Sequence, residues 1–251
     1  MKTAHPSKPR WRDRVRFLRA EEPNQIAVHA LHKSATMFLF RFFQQVAKDR
    51  RIDFYSENLE STTEVVHDLK QSFCEAPIRT FDFDSVPGVH RIVHVRDPRD
   101  ILVSEFFSFG WIHANQNKLD QRRHVIQAMS IDEYVLNQPQ FSNWPLEAKF
   151  APLLEQDLEG PDFTVLTYEQ MVLDFPAWAA CAIEPFRFRI PRLWLNRYRQ
   201  KFAPEFEPKT ESMTHRRKMT PGDHREKLRP KTIALLNQRF APVLERFGYA
   251  P

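Results

Sequence analysis

With 251 residues of which 42% are hydrophobic, the chain can bury one sizeable core, and its length matches a single α/β domain of roughly 250 residues. It holds no run of about 18 uncharged apolar residues that would span a membrane, and its two cysteines, Cys74 and Cys181, stand far apart outside any CxxC pattern, unlike a disulfide scaffold or a zinc site. A formal net charge of +5 and a pI near 9.3 point to an anionic partner, but neither zinc-finger spacing nor an RNA-binding signature occurs, so nucleic acid is not expected.

Residues 1–24 form a basic arm without the apolar stretch of a secretory signal, which with the cysteine usage suits a cytoplasmic protein. One domain is expected over 25–251. Gln25–Leu31 reads as the first strand, followed by a turn and a helix over Thr36–Asp49. Arg51–Tyr55 reads as a short second strand, Asn58–Ser72 as helix-compatible and Pro77–Phe81 as a third strand. His90–Val95, HRIVHV, alternates polar with β-branched residues and predicts a strand. It ends at Arg96-Asp97-Pro98, where Asp97 can cap a helix and Pro98 fits the first helical position. That helix continues as ILVSEFFSF. Residues 110–128 read as irregular, and helices are expected at 130–138 and 145–158. Phe163–Thr167 is another strand leading into a helix near Glu169–Ala182. Residues 203–229 read as a loop rich in charge and proline, and an amphipathic helix spans 231–247. Strands alternating with helices predict an α/β fold, a central parallel β-sheet flanked on both faces by α-helices.

In such a sheet, ligands bind beyond the carboxyl ends of the strands, where His32–Met37 follows the first strand. The next helix starts near Thr36, so its free N–H groups and positive dipole end favour a phosphate. Lys33 adds a mobile charge, and Ser34 and Thr36 add hydroxyl donors. An ordinary capped turn with a surface lysine would use the same residues. No glycine precedes the lysine, so the GxxxxGK[ST] pattern is absent. A positive φ at Ala35 would cost about 1–2 kcal/mol relative to glycine.

The second strand-to-helix turn carries RDPRDILVSEFFSF. Together with HKSATM it resembles the sulfotransferases that use 3′-phosphoadenosine 5′-phosphosulfate (PAPS). That family has a lysine loop of the form PKSGTT or HKSGTS for the donor's 5′ phosphosulfate. A segment like RDPRDVLVSYY supplies an arginine and a serine to the 3′-phosphate. The resemblance implies donor binding by Lys33, Ser34, Ala35, Thr36, Met37 and Phe38 at one end and by Arg96 and Ser104 at the other. VLTYEQMVLDFPAWA is similar to the family's strand ending in YE[DE], which brings Tyr168 towards the adenine. HRRKMTPGDHREKL resembles the RKGxxGDWK loop and implies that Arg217 and Lys218 contact the 3′-phosphate. Met219 replaces the usual glycine there and His224 the usual tryptophan. LNQRFAPVLERFGY looks like the family's terminal helix. The likeness runs from about residue 25 to 249 and implies a P-loop-like domain with PAPS as donor and 3′,5′-adenosine bisphosphate (PAP) as product.

By this resemblance Lys33 acts on the leaving phosphate oxygen during a loose, in-line transfer to a hydroxyl or amine, without a metal. The acceptor needs a general base within about 3 Å of its proton. The small-molecule branch uses a histidine in a KTH-like segment after the third strand, and PIRTFDFDSV has none. Asp82 and His113 are the leading candidates for the base, beside Glu75 and Asp84. Phe106, Phe107, Phe109, Trp111, Phe141 and Trp144 could line an acceptor pocket or simply pack a core. A small-molecule, carbohydrate or lipid acceptor fits this reading, as does a homodimer. A P-loop nucleotide kinase would require the missing glycines, a Mg²⁺ carboxylate and ATP. A non-catalytic basic adaptor would bind polyanions in a salt-sensitive way that does not depend on Lys33.

Overall fold

The computed structural model describes residues 25–56, 71–83, 88–112, 123–141, 145–203 and 220–251. Five strands, β1 (Gln25–Ala30), β2 (Asp53–Tyr55), β3 (Phe73–Ile78), β4 (His90–Val95) and β5 (Phe163–Thr167), form one sheet in the order β2-β3-β1-β4-β5. Every pair in it is parallel. The helices are α1 (Thr36–Arg50), α2 (Pro98–Phe107), α3 (Ile131–Phe141), α4 (Leu146–Glu155), α5 (Tyr168–Leu173), α6 (Phe175–Ile183), α7 (Pro191–Phe202), α8 (Asp223–Lys227), α9 (Pro230–Arg239) and α10 (Ala241–Phe247).

Successive strand residues face opposite sides, and both sides are covered. Ile26, Val28 and Ala30 of β1 pack with Ile92 and Leu166 beneath Phe42, Phe43, Trp178 and Tyr198 from α1, α6 and α7. Val93 and Val95 of β4 pack on the other face against Leu102, Val135, Phe150 and Leu236 from α2, α3, α4 and α9. Covering on both faces is why β1 reads as an almost unbroken apolar run. Phe42 sits at the centre of the first layer, in edge contact with Phe43, Trp178 and Tyr198. Each such pair adds about 0.5–1.5 kcal/mol beyond area burial.

The expected α/β architecture is present, and β4 and β5 have the predicted bounds. The third strand is not Pro77–Phe81 but Phe73–Ile78. Pro77 lies inside it because the β1–β3 register slips between Ala27 and His29, and β2 pairs only as far as Glu75. A bulge and an open edge remove the ladder bond that proline could not make. The first strand stops at Ala30 and the second begins at Asp53. The helix expected over 169–182 is two helices. Asp174 leaves helical geometry and accepts from Ala177 N at 3.2 Å to cap α6. The terminal helix is likewise divided at Phe240, with Pro242 opening α10. α7 had no counterpart in the sequence reading, and the described end of the 203–229 loop contains α8. The stretch expected to be irregular over 110–128 contains the end of a π-helical turn, Ser108–Ile112, and a helical run at 123–127. Most of the helix expected at Asn58–Ser72 lies outside the described residues.

Candidate active site

At the carboxyl end of β1, Ser34 N donates to Leu31 O at 3.1 Å and closes the turn. Lys33 (φ 68°) and Ala35 (φ 63°) both adopt the left-handed conformation, at about 1–2 kcal/mol each for residues other than glycine. Left-handed residues interleaved with ordinary ones turn successive N–H groups towards a common concavity that suits an anion. Ala35 is also the N-cap of α1 and offers no side-chain cap, so the helix start keeps N–H groups for another acceptor. Ser34 is 1% exposed, and its Oγ has no hydrogen-bond partner among the described residues. A buried orphan hydroxyl on an anion-type turn fits a phosphosulfate.

Lys33 reaches across the turn, and its Nζ donates to Ser108 Oγ, just beyond α2. Burial pushes its ammonium down to about 8; the Glu105 charge opposes this and the Arg96 charge adds to it. Arg96, at the end of β4, donates from Nη1 to the Lys33 carbonyl at 2.8 Å. Its guanidinium lies 4.0 Å from the centre of the Tyr168 ring, a cation–π contact. Lys33, Ser34, Ala35, Thr36, Arg96 and Tyr168 are therefore neighbours on adjacent strand ends, β1, β4 and β5. His94 lies one layer below, fully buried near the Ser34 backbone.

The other charges of RDPRD serve the framework. Asp97 caps α2 by accepting from Arg99 N at 2.9 Å, and its carboxylate takes Arg99 Nε and Nη2 at 3.0 and 2.7 Å. Arg99 is 1% exposed and also binds Asn237 Oδ1 and the Ala250 carbonyl. Asp100 accepts from Gly222 N, His224 N and His224 Nδ1 at 2.7, 3.0 and 2.7 Å. Burial pushes the Asp100 carboxyl up, but the His224 hydrogen bonds and the Arg96 charge outweigh it and hold it below the usual aspartate range. The replacement of tryptophan by His224 is thus matched by a specific carboxylate. Glu169, next to Tyr168, takes Asp97 N and Tyr249 Oη at 3.1 and 3.0 Å.

Of the remaining expected residues, Ser104 is half-buried on α2, two turns beyond Arg96, and the Met37 side chain is 55% exposed. The Phe38 ring is turned into the core against Phe175, Trp178 and Phe202, which leaves only its main chain to face the turn. Asp82 is exposed in a groove of about 640 Å³ that also involves Leu31, Phe83 and Lys149. Glu75 pairs within the sheet with Ala27 and Tyr55. Phe106 is core, in contact with Phe107, Trp111 and Tyr134, while Phe109 stacks on His32 at 6.0 Å. Asp84, His113, Trp144, Arg217, Lys218 and Met219 lie outside the described residues, as does the Phe141 side chain. Ser108, which takes the Lys33 ammonium, and Glu105, whose charge acts on it, have no role in the sequence motifs. The signal for Glu105 was its place in RDPRDILVSEF, where the resembling segment RDPRDVLVSYY has tyrosine.

The strand order, the parallel pairing and the anion-type turn after the central strand define a P-loop-like α/β domain. Among solved structures the chain is similar to mouse sulfotransferase SULT7A1 complexed with PAP. The TM-score is 0.61 at 15% identity, over 91% of this chain and 86% of that one. It is also similar to retinol dehydratase in a complex with retinol and PAP, with a TM-score of 0.55 at 12% identity over 90% and 82% of the two chains. The complex of retinol dehydratase with androsterone and inactive cofactor PAP gives 0.52 at 13% identity over 89% and 82%. The chain has the sulfotransferase fold. No family model matches it, and no curated protein matches it in sequence.

Proposed function

We propose that this chain is a PAPS-dependent sulfotransferase that moves a sulfuryl group to the hydroxyl or amine of a small-molecule, carbohydrate or lipid acceptor. The observation that carries the reading is the 2.8 Å bond from Arg96 to the Lys33 carbonyl. It joins the two segments that the resemblance assigns to opposite ends of one nucleotide. The donor brings the sulfuryl group and the leaving phosphate oxygen. Lys33 holds positive charge at that oxygen, Ser34 and the N–H groups at the start of α1 bind the 5′ end, and Arg96 and Ser104 hold the 3′-phosphate. Fixed donors aimed at developing charge in a site with little water are worth several kcal/mol. Arg217 and Lys218 complete the clamp from the segment that ends at Gly222, anchored on Asp100. Asp82 and His113 are the candidates for the acceptor's base. The transfer needs no metal, and the enzyme is one cytoplasmic domain over 25–251 preceded by a basic arm. The PAP-bound neighbours, two of them with retinol or androsterone, support this reading.

Thermal shift in EDTA tests it: PAP raises the melting temperature, and Lys33→Ala reduces the gain. Labelled PAPS supplied with panels of alcohols, sugars and lipids then identifies the acceptor. Stabilisation by ATP with Mg²⁺ but not by PAP would replace the proposal with a nucleotide kinase. Binding of polyanions that ignores Lys33 and collapses with salt would replace it with an adaptor.

A further inference from the structure

Glu105 is 2% exposed on α2, one turn before Ser108, and Ser108 Oγ accepts from Lys33 Nζ. Its surroundings come from several elements. Gln138 of α3 donates from Nε2 to Glu105 Oε2 at 3.3 Å, and the buried Tyr134 stands on the same helix. Burial pushes the Glu105 carboxyl up, and the Lys149 charge of α4, the Gln138 bond and then the Lys33 charge of the β1 turn work against it. Buried Leu102, Phe106 and Val135 belong to the same packed layer. Taking a carboxylate out of water costs several kcal/mol, and the resembling segment fills this place with a tyrosine. Among the described residues the helix start and the α8 junction are held by Asp97 and Asp100, not by Glu105.

We propose that Glu105 is the fixed counter-charge of Lys33, a positioning residue that holds the ammonium charged and directed beside Arg96. Burial and the Arg96 guanidinium both favour the neutral amine, which could neither bind an anionic donor nor stabilise a leaving oxygen. Ser108 can orient the ammonium but carries no charge to keep it protonated. Tyr134 cannot substitute, because burial and the Glu105 charge hold its phenol protonated. The role of Lys33 rests on the sulfotransferase reading; the pairing itself does not.

The test is the titration of Lys33 without nucleotide, followed by pH-dependent competitive acylation and mass spectrometry. Glu105→Gln should lower the Lys33 midpoint by about one unit or more. Glu105→Asp should restore most of it, and Ser108→Ala should move it much less. An unchanged midpoint in folded Glu105→Gln overturns the proposal, and so does an equal shift in Ser108→Ala. If Glu105→Gln does not fold, Lys33→Met decides. Loss of the cation must raise the Glu105 midpoint, read by carboxylate NMR, and no change there is equally fatal. A protein that binds no PAP would end the sulfotransferase reading while leaving this coupling measurable.

Discussion

Lys33 works near the limit of its charged range, with burial and Arg96 pushing it to about 8 against the pull of Glu105. If the ammonium does the chemistry, turnover holds up to about pH 8 and falls above it as the proton is lost. A pH–rate profile checks the position of that limb. Lys33→Ala should lower kcat by roughly 10²-fold or more, with a smaller change in KM. Ala35 makes the opposite kind of prediction. Its left-handed backbone carries a penalty that glycine escapes, while glycine adds freedom to the unfolded chain. Ala35→Gly should therefore raise stability by up to about 1 kcal/mol in urea melts. Lys33 and Arg96 were legible in the sequence because each sits in a spaced motif at a strand end. Glu105 showed only as a departure from the resembling segment's tyrosine, since an acidic residue on a helix says nothing about which way it faces.

The α2 segment shows how much a motif can mix purposes. Arg96 faces the turn, while Asp97, Arg99 and Asp100 tie α2 to α9, to the Ala250 carbonyl and to the α8 junction. Arg99→Leu strands the Asp97 carboxylate, which is itself nearly buried, and should cost about 3–5 kcal/mol in chemical denaturation. If the chain binds PAP as proposed, Asp100→Asn should weaken that binding by calorimetry as well as lower the melting temperature, because Asp100 anchors Gly222 at the end of the segment bearing Arg217 and Lys218. Asp100 also has an acid signature. Its depressed pKa contributes stability above the ordinary aspartate value, and that contribution is lost as pH falls through the folded value. β4, β5 and the Asp97 cap were readable because alternation and an Asp-Pro junction are local signals. β3 was misplaced because a register slip in a neighbouring strand, invisible locally, makes room for Pro77. The breaks at Asp174 and Phe240 were missed because apolar periodicity continues across them.

Across the whole molecule, two buried histidines sit on opposite faces of the sheet. Burial, which outweighs a bond to the Thr80 carbonyl, pushes His29 down to about 4. Burial and the Arg96 charge push His94 down to about 3. Both folded values lie below the unfolded value near 6.5, so the unfolded chain binds more protons in between. Stability should decline from about pH 6.5 towards about pH 4, by up to about 1.4 kcal/mol per pH unit for each histidine. Urea melts across that range should show the slope, and His94→Gln should make it shallower. The parallel architecture was legible from the alternation of strands and helices, whereas which polar residues lie inside it depends on crossovers that no local pattern records. His94 also stands edge-on to Trp178, ring centres 5.9 Å apart, directly beneath the Ser34 turn. His94 stays neutral down to about pH 3, so at ordinary pH a change in Trp178 emission would come from movement of the ring beside it. The protein thus carries an intrinsic optical gauge, and a Trp178→Phe difference spectrum would report events at the turn without any added dye.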